Sequence, residues 1–140
     1  MALNWCYNEP WPTAAGNSLI NWPVKPKPAY FAVKESCRPV LASARIPKFS
    51  WSAGETLNPE LWILNDSSRP LPCGTVKVYV KLDTETEVFT WNYEAAEPSK
   101  NLKGPTISFV IPEAESKLMT LSLRVEGKKE MDSEYVLLVK

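Results

Sequence analysis

The feature that most constrains the fold is the alternation of apolar and polar residues that begins after position 38. In residues 75–82 every second side chain is Val or Leu, and residues 118–126 alternate in the same way. This period of two is typical of half-buried strands, whereas helices repeat every three to four residues. Seven strands are predicted, at residues 40–46, 56–65, 75–82, 87–93, 106–111, 118–126 and 134–139. Because no helical segment separates them, we expect a mainly β fold, an antiparallel β-sandwich.

Residues 1–38 have a different character, because prolines and tryptophans are concentrated there. A short strand is predicted at residues 3–7, and the prolines that follow cannot continue a hydrogen-bonded ladder. Residues 13–27 read as a long irregular loop, and residues 29–37 have helical spacing. The helix would place three residues on one apolar face: Tyr30, Val33 and Cys37. The sequence therefore predicts two regions, 1–38 and 39–140, of which the first lacks a sheet to join.

Charge and composition exclude several classes of function. Sixteen basic and sixteen acidic side chains leave no net charge, whereas a nucleic-acid-binding protein needs a basic excess. No apolar run reaches the ~20 residues that span a membrane, and the pattern of a signal peptide is missing, so we expect a soluble chain. The sequence contains no histidine, which excludes Ser-His-Asp catalysis and imidazole zinc sites.

The three cysteines, Cys6, Cys37 and Cys73, lie too far apart for a Cys-x-x-Cys motif. We interpret them as buried thiols that behave as small apolar side chains. Their spacing gives no reason to expect a disulfide, although it leaves a single pairing open. No metal ion and no cofactor are predicted.

Asn8-Glu9-Pro10 is the most suggestive catalytic motif, since many glycosidases carry an acid/base carboxylate after an Asn at the end of a barrel strand. Glycoside hydrolysis needs two carboxylates, about 5–5.5 Å apart for retention or about 6.5–9.5 Å for inversion. No second carboxylate is evident near Glu9. The simpler interpretation is a proline-rich turn in which Glu9 is solvated.

The tryptophans fall into two groups. An exposed Trp face can stack on a sugar ring, whereas most Trp and Tyr side chains are largely buried. An aromatic group near the irregular loop could form a carbohydrate platform: Trp5, Tyr7, Trp11 and Trp22. Both alternatives stay open for Trp5 and Trp11. The tryptophans of the strand region are predicted to belong to the core: Trp51, Trp62 and Trp91.

Two segments carry a resemblance to a known enzyme family. Residues 3–12 read Leu-Asn-Trp-Cys-Tyr-Asn-Glu-Pro-Trp-Pro, and residues 25–34 read Lys-Pro-Lys-Pro-Ala-Tyr-Phe-Ala-Val-Lys. In this order and spacing they resemble glycoside hydrolase family 2, in particular its β-mannosidase-like, β-galactosidase-like and related bacterial members. There the first segment is similar to the last strand of the (β/α)8 barrel, and the second to its final helix. Residues 38–43 resemble the start of the immunoglobulin-like sandwich that follows in that family.

The resemblance implies that this chain is the C-terminal part of such an enzyme. Residues 1–38 would be a remnant of the last barrel β/α unit, and residues 39–140 an immunoglobulin-like accessory domain. The parent would be a retaining, exo-acting hydrolase of β-glycosides. Its two catalytic glutamates would lie on other barrel strands, so this chain would contain no catalytic residue and would be inactive alone. By the same resemblance, the residues that bind substrate in the parent would be Trp5, Asn8, Glu9 and Trp11.

The implied partners are the barrel domain of the parent and, through it, a carbohydrate, but no nucleic acid and no membrane. Without a barrel, the apolar side chains of residues 3–33 are expected to be mobile or to pack against a second copy of the chain. The compartment of the parent stays open, with the periplasm and secretion as candidates.

Two alternatives from other classes also stay open. A stand-alone carbohydrate-binding or adhesion sandwich requires Trp51 or Trp91 to be exposed in a row. A spacer domain requires that no aromatic stripe be exposed at all.

Overall fold

The structure is a computed structural model, and it describes residues 6–13 and 16–140. Most of the predicted strand at residues 3–7 therefore lies outside the described residues. The chain divides into two compact units, Met1–Arg38 and Pro39–Lys140. Among the described residues, the one α-helix is too short and too polar to cross a membrane.

The first unit contains a small hairpin and one helix. Strands β1 (Ile20–Asn21) and β2 (Lys25–Pro26) pair antiparallel, inside the segment that the sequence predicts to be irregular. Helix α1 (Pro28–Ser36) begins with a proline, whose missing N–H costs no hydrogen bond in the first turn. It ends where the amide of Cys37 donates to the carbonyl oxygen of Val33. The predicted helix is confirmed within one residue at each end, but none of its side chains is buried.

The second unit is mainly β, as predicted. Its strands are β3 (Val40–Arg45), β4 (Ser50–Trp51), β5 (Thr56–Leu57), β6 (Glu60–Asn65), β7 (Gly74–Lys81), β8 (Glu85–Tyr93), β9 (Leu102–Thr106), β10 (Phe109–Val110), β11 (Leu118–Val125) and β12 (Ser133–Val139). One sheet has the order β4-β12-β11-β7-β8, another has the order β3-β6-β9, and β5 pairs with β10. The pairings are antiparallel except that of β4 with β12, which is parallel.

A single core collects the inward side chains of both larger sheets. The alternation in the sequence identifies them well, because every second residue of β7 and β11 is almost fully buried. These residues are Val76, Val78, Val80, Met119, Leu121, Leu123 and Val125. The three-stranded sheet contributes Ala42, Ala44, Leu61 and Ile63 to the same cluster. The predicted antiparallel β-sandwich is thereby confirmed.

Two predicted strands differ from the observed ones. The segment 56–65 is interrupted at Pro59, which has no N–H to donate to a ladder. The segment predicted at 106–111 is replaced by β9, which ends at Thr106, and by the separate β10. Strand β9 contains Gly104 and Pro105, which argue against a strand in the sequence but are tolerated at the edge of a sheet.

The prediction that the cysteines are buried is wrong for two of the three. Cys37 and Cys73 are exposed free thiols, and Cys6 is half-buried. Cys37 follows the last residue of α1, and Cys73 directly precedes β7. Both lie in connecting segments, which usually run over the surface. Composition alone does not reveal such positions.

Candidate functional site

Backbone hydrogen bonds bring two distant segments of the first unit side by side. The amide of Glu9 donates to the carbonyl oxygen of Ile20 at 3.0 Å, and Asn8 forms a parallel bridge with Ile20. The hairpin of β1 and β2 then returns the chain, so that the amide of Lys27 donates to the carbonyl oxygen of Leu19 at 2.9 Å. Glu9 and Lys27, which are 18 residues apart in the sequence, therefore lie next to each other.

The Glu9 side chain is 8% exposed, and both of its carboxylate oxygens accept hydrogen bonds. The Ser18 hydroxyl and Lys27 Nζ donate to Oε1 at 3.0 and 3.2 Å, and the Trp22 amide donates to Oε2 at 3.3 Å. Lys27 Nζ also donates to the carbonyl oxygen of Gly16 at 2.7 Å and to the Ser18 hydroxyl at 3.2 Å. We call this arrangement the Glu9 clasp. The interpretation of Glu9 as a solvated residue is wrong, because burial of a carboxylate requires such partners.

Two opposing effects determine the pKa of Glu9. Burial acts to raise it, because the charged form loses hydration. Hydrogen bonds from Lys27, Ser18 and the Trp22 amide, together with the charge of Lys27, favour the carboxylate and bring the pKa below its ordinary value. Glu9 is therefore ionised at neutral pH, whereas a general acid would need a raised pKa.

Gly16 makes this close approach feasible. A Cβ atom at this position would overlap Oε1 of Glu9 and would lie 2.7 Å from its carboxyl carbon and from Oγ1 of Thr13. Real side chains do not tolerate such distances, and the buried carboxylate has little room to move. Any residue larger than glycine would therefore displace Glu9 from the clasp.

A cleft of about 370 Å³ lies beside the clasp. The described residues that line it are Glu9, Pro12, Thr13, Gly16, Asn21, Trp22 and Lys27. Trp22 is 49% exposed and offers an apolar surface among hydrogen-bonding groups. The volume falls within the roughly 300–1,000 Å³ of small-molecule sites, and this composition suits a hydroxylated ligand with one apolar face.

The four residues that the resemblance implicates occupy different positions. Trp5 lies outside the described residues. Asn8 is exposed, Trp11 is 64% exposed, and neither lines the cleft. The structure instead places Glu9 beside Trp22, one of the four aromatic residues considered as a carbohydrate platform, and beside Lys27, which the sequence did not indicate as a site residue. The sequence gives no local signal that Glu9, Trp22 and Lys27 lie together. The hairpin that brings them together lies in a segment that the sequence predicts to be irregular.

The second unit presents no tryptophan platform. Trp51 is 5% exposed and its Nε1 donates to the carbonyl oxygen of Lys48 at 3.0 Å, so its assignment to the core is confirmed. Trp62 and Trp91 are half-buried. The large apolar residues that are exposed in this unit are Phe49, Phe89, Val110, Leu118, Val136 and Leu138. The row of exposed tryptophans expected of a stand-alone carbohydrate-binding sandwich is therefore contradicted at Trp51.

Among residues 6–13 and 16–140, no group of three or more acidic or cysteine side chains is arranged to hold a metal ion.

Comparisons with known proteins relate the chain to glycosidases. It is 29% identical over 92 residues to β-mannosidase B of Aspergillus niger, and 29% identical over 93 residues to β-mannosidase B of Aspergillus clavatus. In each case the match covers 62% of this chain and 11% of the relative. The chain thus spans about a tenth of the length of these curated relatives. These relatives are fungal, so they do not support a bacterial source, although the motifs resemble those of bacterial enzymes. No protein-family model matches the chain.

Among solved structures, the CARDB domain of a Pyrococcus furiosus protein, crystallised with two metal ions, has a similar fold. The TM-score is 0.57 at 12% identity, over 71% of this chain and 91% of that domain. This likeness concerns the fold alone. The sequence similarity to the β-mannosidases confirms the resemblance to glycosidases.

Proposed function

We propose that this chain is the C-terminal accessory part of a retaining, exo-acting glycoside hydrolase of family 2 that hydrolyses β-glycosides. β-Mannosides are the first substrates to test. The observation that carries the proposal is the similarity to the β-mannosidases, together with the two motifs at residues 3–12 and 25–34.

The environment of Glu9 supports the proposal that the chain is inactive alone. Retention requires two carboxylates about 5–5.5 Å apart, of which one must be available to donate a proton. Among the described residues that line the cleft, Glu9 is the sole carboxylate, and Lys27 and Ser18 already engage it. Catalysis by the parent would therefore come from residues outside this chain.

The strand order supports the finer assignment of an immunoglobulin-like domain. Strands β3, β6 and β9 form one sheet, and β7, β8, β11 and β12 belong to the other. In chain order these correspond to strands A, B and E against C, C′, F and G, the partition found in immunoglobulin folds. We propose that this domain braces the barrel of the parent.

In the parent, Trp5 would form the floor of the subsite that holds the cleaved sugar, and Asn8, Glu9 and Trp11 would line the nearby rim. The barrel domain would cover the aromatic side chains of the first unit. Tyr7 and Phe31 are exposed, and both pack edge-to-face against Tyr30, with ring centroids 6.4 and 5.3 Å apart. Without a barrel, we propose that this surface is mobile or contacts a second copy. Protection of residues 1–36 from limited proteolysis in a monomer would argue against both.

The test of inactivity is a turnover assay of the purified chain with aryl β-mannoside and aryl β-galactoside. We expect no release of the aryl group above the buffer rate. Turnover that persists in Glu9→Gln would place a catalytic residue elsewhere in the chain, and turnover that this variant abolishes would make Glu9 catalytic. Either result would contradict the proposal.

Sugar binding by the sandwich is tested separately. Amide chemical shifts would be recorded during titration with mannose and with a β-linked mannobiose. An accessory domain predicts no shifts within residues 39–140. Saturable shifts there would instead favour a carbohydrate-binding module. Variants at the shifted residues would then be compared with Leu118→Ala, a control substitution of an exposed apolar residue.

A further inference from the structure

We propose that Glu9 is a positioning residue, which together with Lys27 fixes the loop that carries Trp22, and that it does not contact the sugar itself. The role of this loop in a substrate cleft rests on the proposed function. The clasp, by contrast, is a property of this chain and can be tested without any ligand.

The ammonium group of Lys27 has no proton left for a ligand. An ammonium group has three protons, and Lys27 Nζ has three acceptors, which are Oε1 of Glu9, Oγ of Ser18 and the carbonyl oxygen of Gly16. Oε1 of Glu9 in turn accepts hydrogen bonds from the Ser18 hydroxyl and from Lys27 Nζ. A sugar hydroxyl could bind to Lys27 Nζ only by replacing a partner within the clasp. The Glu9 carboxylate already accepts three hydrogen bonds and is 8% exposed, so it offers a ligand little access.

The clasp joins several segments of the chain that are distant in sequence. Glu9 follows Asn8, whose backbone pairs with Ile20, and Lys27 directly precedes the first residue of α1. Between these two points, the clasp holds the carbonyl oxygen of Gly16, the hydroxyl of Ser18 and the amide of Trp22. The loop is thus attached at three positions to one ion pair.

A backbone hydrogen bond of Trp22 connects the clasp to the cleft. Oε2 of Glu9 accepts from the backbone amide of Trp22, and the same residue presents its half-exposed side chain to the cleft. The carboxylate therefore determines where the backbone of Trp22 lies, and through it the position of the aromatic wall. Preorganisation of this kind reduces the ordering that a ligand would otherwise have to impose.

The charge state of Glu9 controls the clasp. Among the described residues, Lys27 is the charged group that contacts Glu9, and its charge lowers the pKa of the carboxyl. Since the pKa of Glu9 is lowered in the folded chain, the clasp is fully formed above the ordinary Glu pKa of about 4.3. It is lost as the pH falls through the lower pKa of the folded state.

The test is hydrogen exchange of backbone amides, measured by NMR on the whole chain. In Glu9→Gln and Lys27→Met we expect the Trp22 amide to exchange at least about tenfold faster than in the wild type. Lys27→Arg keeps the charge and should retain most of the protection. Glu35→Gln is the matched control, because Glu35 pairs with Arg38 at 3.4 Å on the surface of the same unit.

The amide of Cys37, which is bonded to the carbonyl oxygen of Val33 at the end of α1, reports whether the first unit still folds. A positioning role predicts that Cys37 stays protected while Trp22 loses protection. Equal loss at both amides would reduce Glu9 to a general structural residue, and an unchanged Trp22 amide in Glu9→Gln would remove the role altogether. Both results would overturn the inference.

A second readout follows the Glu9 carboxyl carbon across pH. It should titrate below the ordinary Glu pKa of about 4.3, and Trp22 protection should disappear over the same pH range. Titration of Glu9 at or above that ordinary value would contradict the clasp. Because both readouts use no sugar, a failure of the proposed function would appear in the turnover assay or the sugar titration and would leave these readouts unchanged.

Discussion

Substitution of Asn65 tests how the sandwich closes one of its ends. Asn65 is the last residue of β6 and is fully buried. Its amide nitrogen donates to the carbonyl oxygens of Arg69 and Glu97, both at 3.0 Å, and to that of Ala96 at 3.4 Å. Its Oδ1 accepts from the amide and the hydroxyl of Ser67, at 3.2 and 2.6 Å. One side chain thus joins the turn after β6 to the loop after β8.

In Asn65→Ala, two well-formed hydrogen bonds from the amide nitrogen disappear. The backbone amide of Ser67 loses its acceptor, whereas the Ser67 hydroxyl keeps the carbonyl oxygen of Arg69 at 3.1 Å. At roughly 0.5–1.5 kcal/mol for each lost bond, with a further cost where a buried partner stays unsatisfied, we expect a loss of about 2–4 kcal/mol in the free energy of unfolding. For a domain of about a hundred residues this corresponds to a decrease in Tm of roughly 10–30 °C.

Asn65→Asp has almost the same shape but places a carboxylate against three carbonyl oxygens. Repulsion and burial would raise the pKa of Asp at this position above its unfolded value of about 3.9. Between the two pKa values the folded state binds more protons than the unfolded state, so stability falls as pH rises. The variant should therefore approach wild-type stability near pH 3.5 and lose about 1.4 kcal/mol per pH unit above it, until the folded pKa is reached.

The assay is urea unfolding of the wild type and each variant between pH 3.5 and 7.5, followed by circular dichroism. The control is Asn92→Asp, because exposed Asn92 accepts from the Thr75 hydroxyl at 2.9 Å and a carboxylate can do the same. It should stay within about 0.5 kcal/mol of the wild type. If Asn65→Asp lost no more stability at pH 7.5 than at pH 4, or no more than Asn92→Asp, the account of this network would be refuted.

Three further outcomes are expected. Leu61→Ala, which empties a fully buried position, should cost about 2–5 kcal/mol in urea unfolding, whereas exposed Leu118→Ala should change little; equal effects would contradict the assigned core. Gly104→Ala should lower the free energy of unfolding by about 1–3 kcal/mol, because the added Cβ would lie 2.6 Å from an indole carbon of Trp91. An unchanged Tm would show that the Trp91 side chain moves away without cost. A thiol reagent should react rapidly with Cys37 and Cys73 and more slowly with the third cysteine, and a single fast thiol would be inconsistent with this surface.

The elements that the sequence predicted well are those whose pattern is local. Strands β7 and β11 alternate strictly, and the residues expected to point inward are the buried ones. Strand β9 was missed because Gly104 and Pro105 disfavour a strand locally, and only the edge position in the sheet makes them acceptable. Strand β4 has two residues and exists only because β12 lies beside it, which no local pattern can reveal.

The candidate site separates local from tertiary information in the same way. From the sequence alone follow the β-sandwich, the helix near residues 29–37, the absence of histidine chemistry and the resemblance to glycosidases, since each depends on residue type and short spacing. Only the tertiary structure decided that Glu9 is buried and ionised against Lys27, and that Trp22 lines the cleft beside it. The reason is physical: the charge state of a carboxylate depends on the groups that surround it in space, and here the hairpin of β1 and β2 brings those groups together.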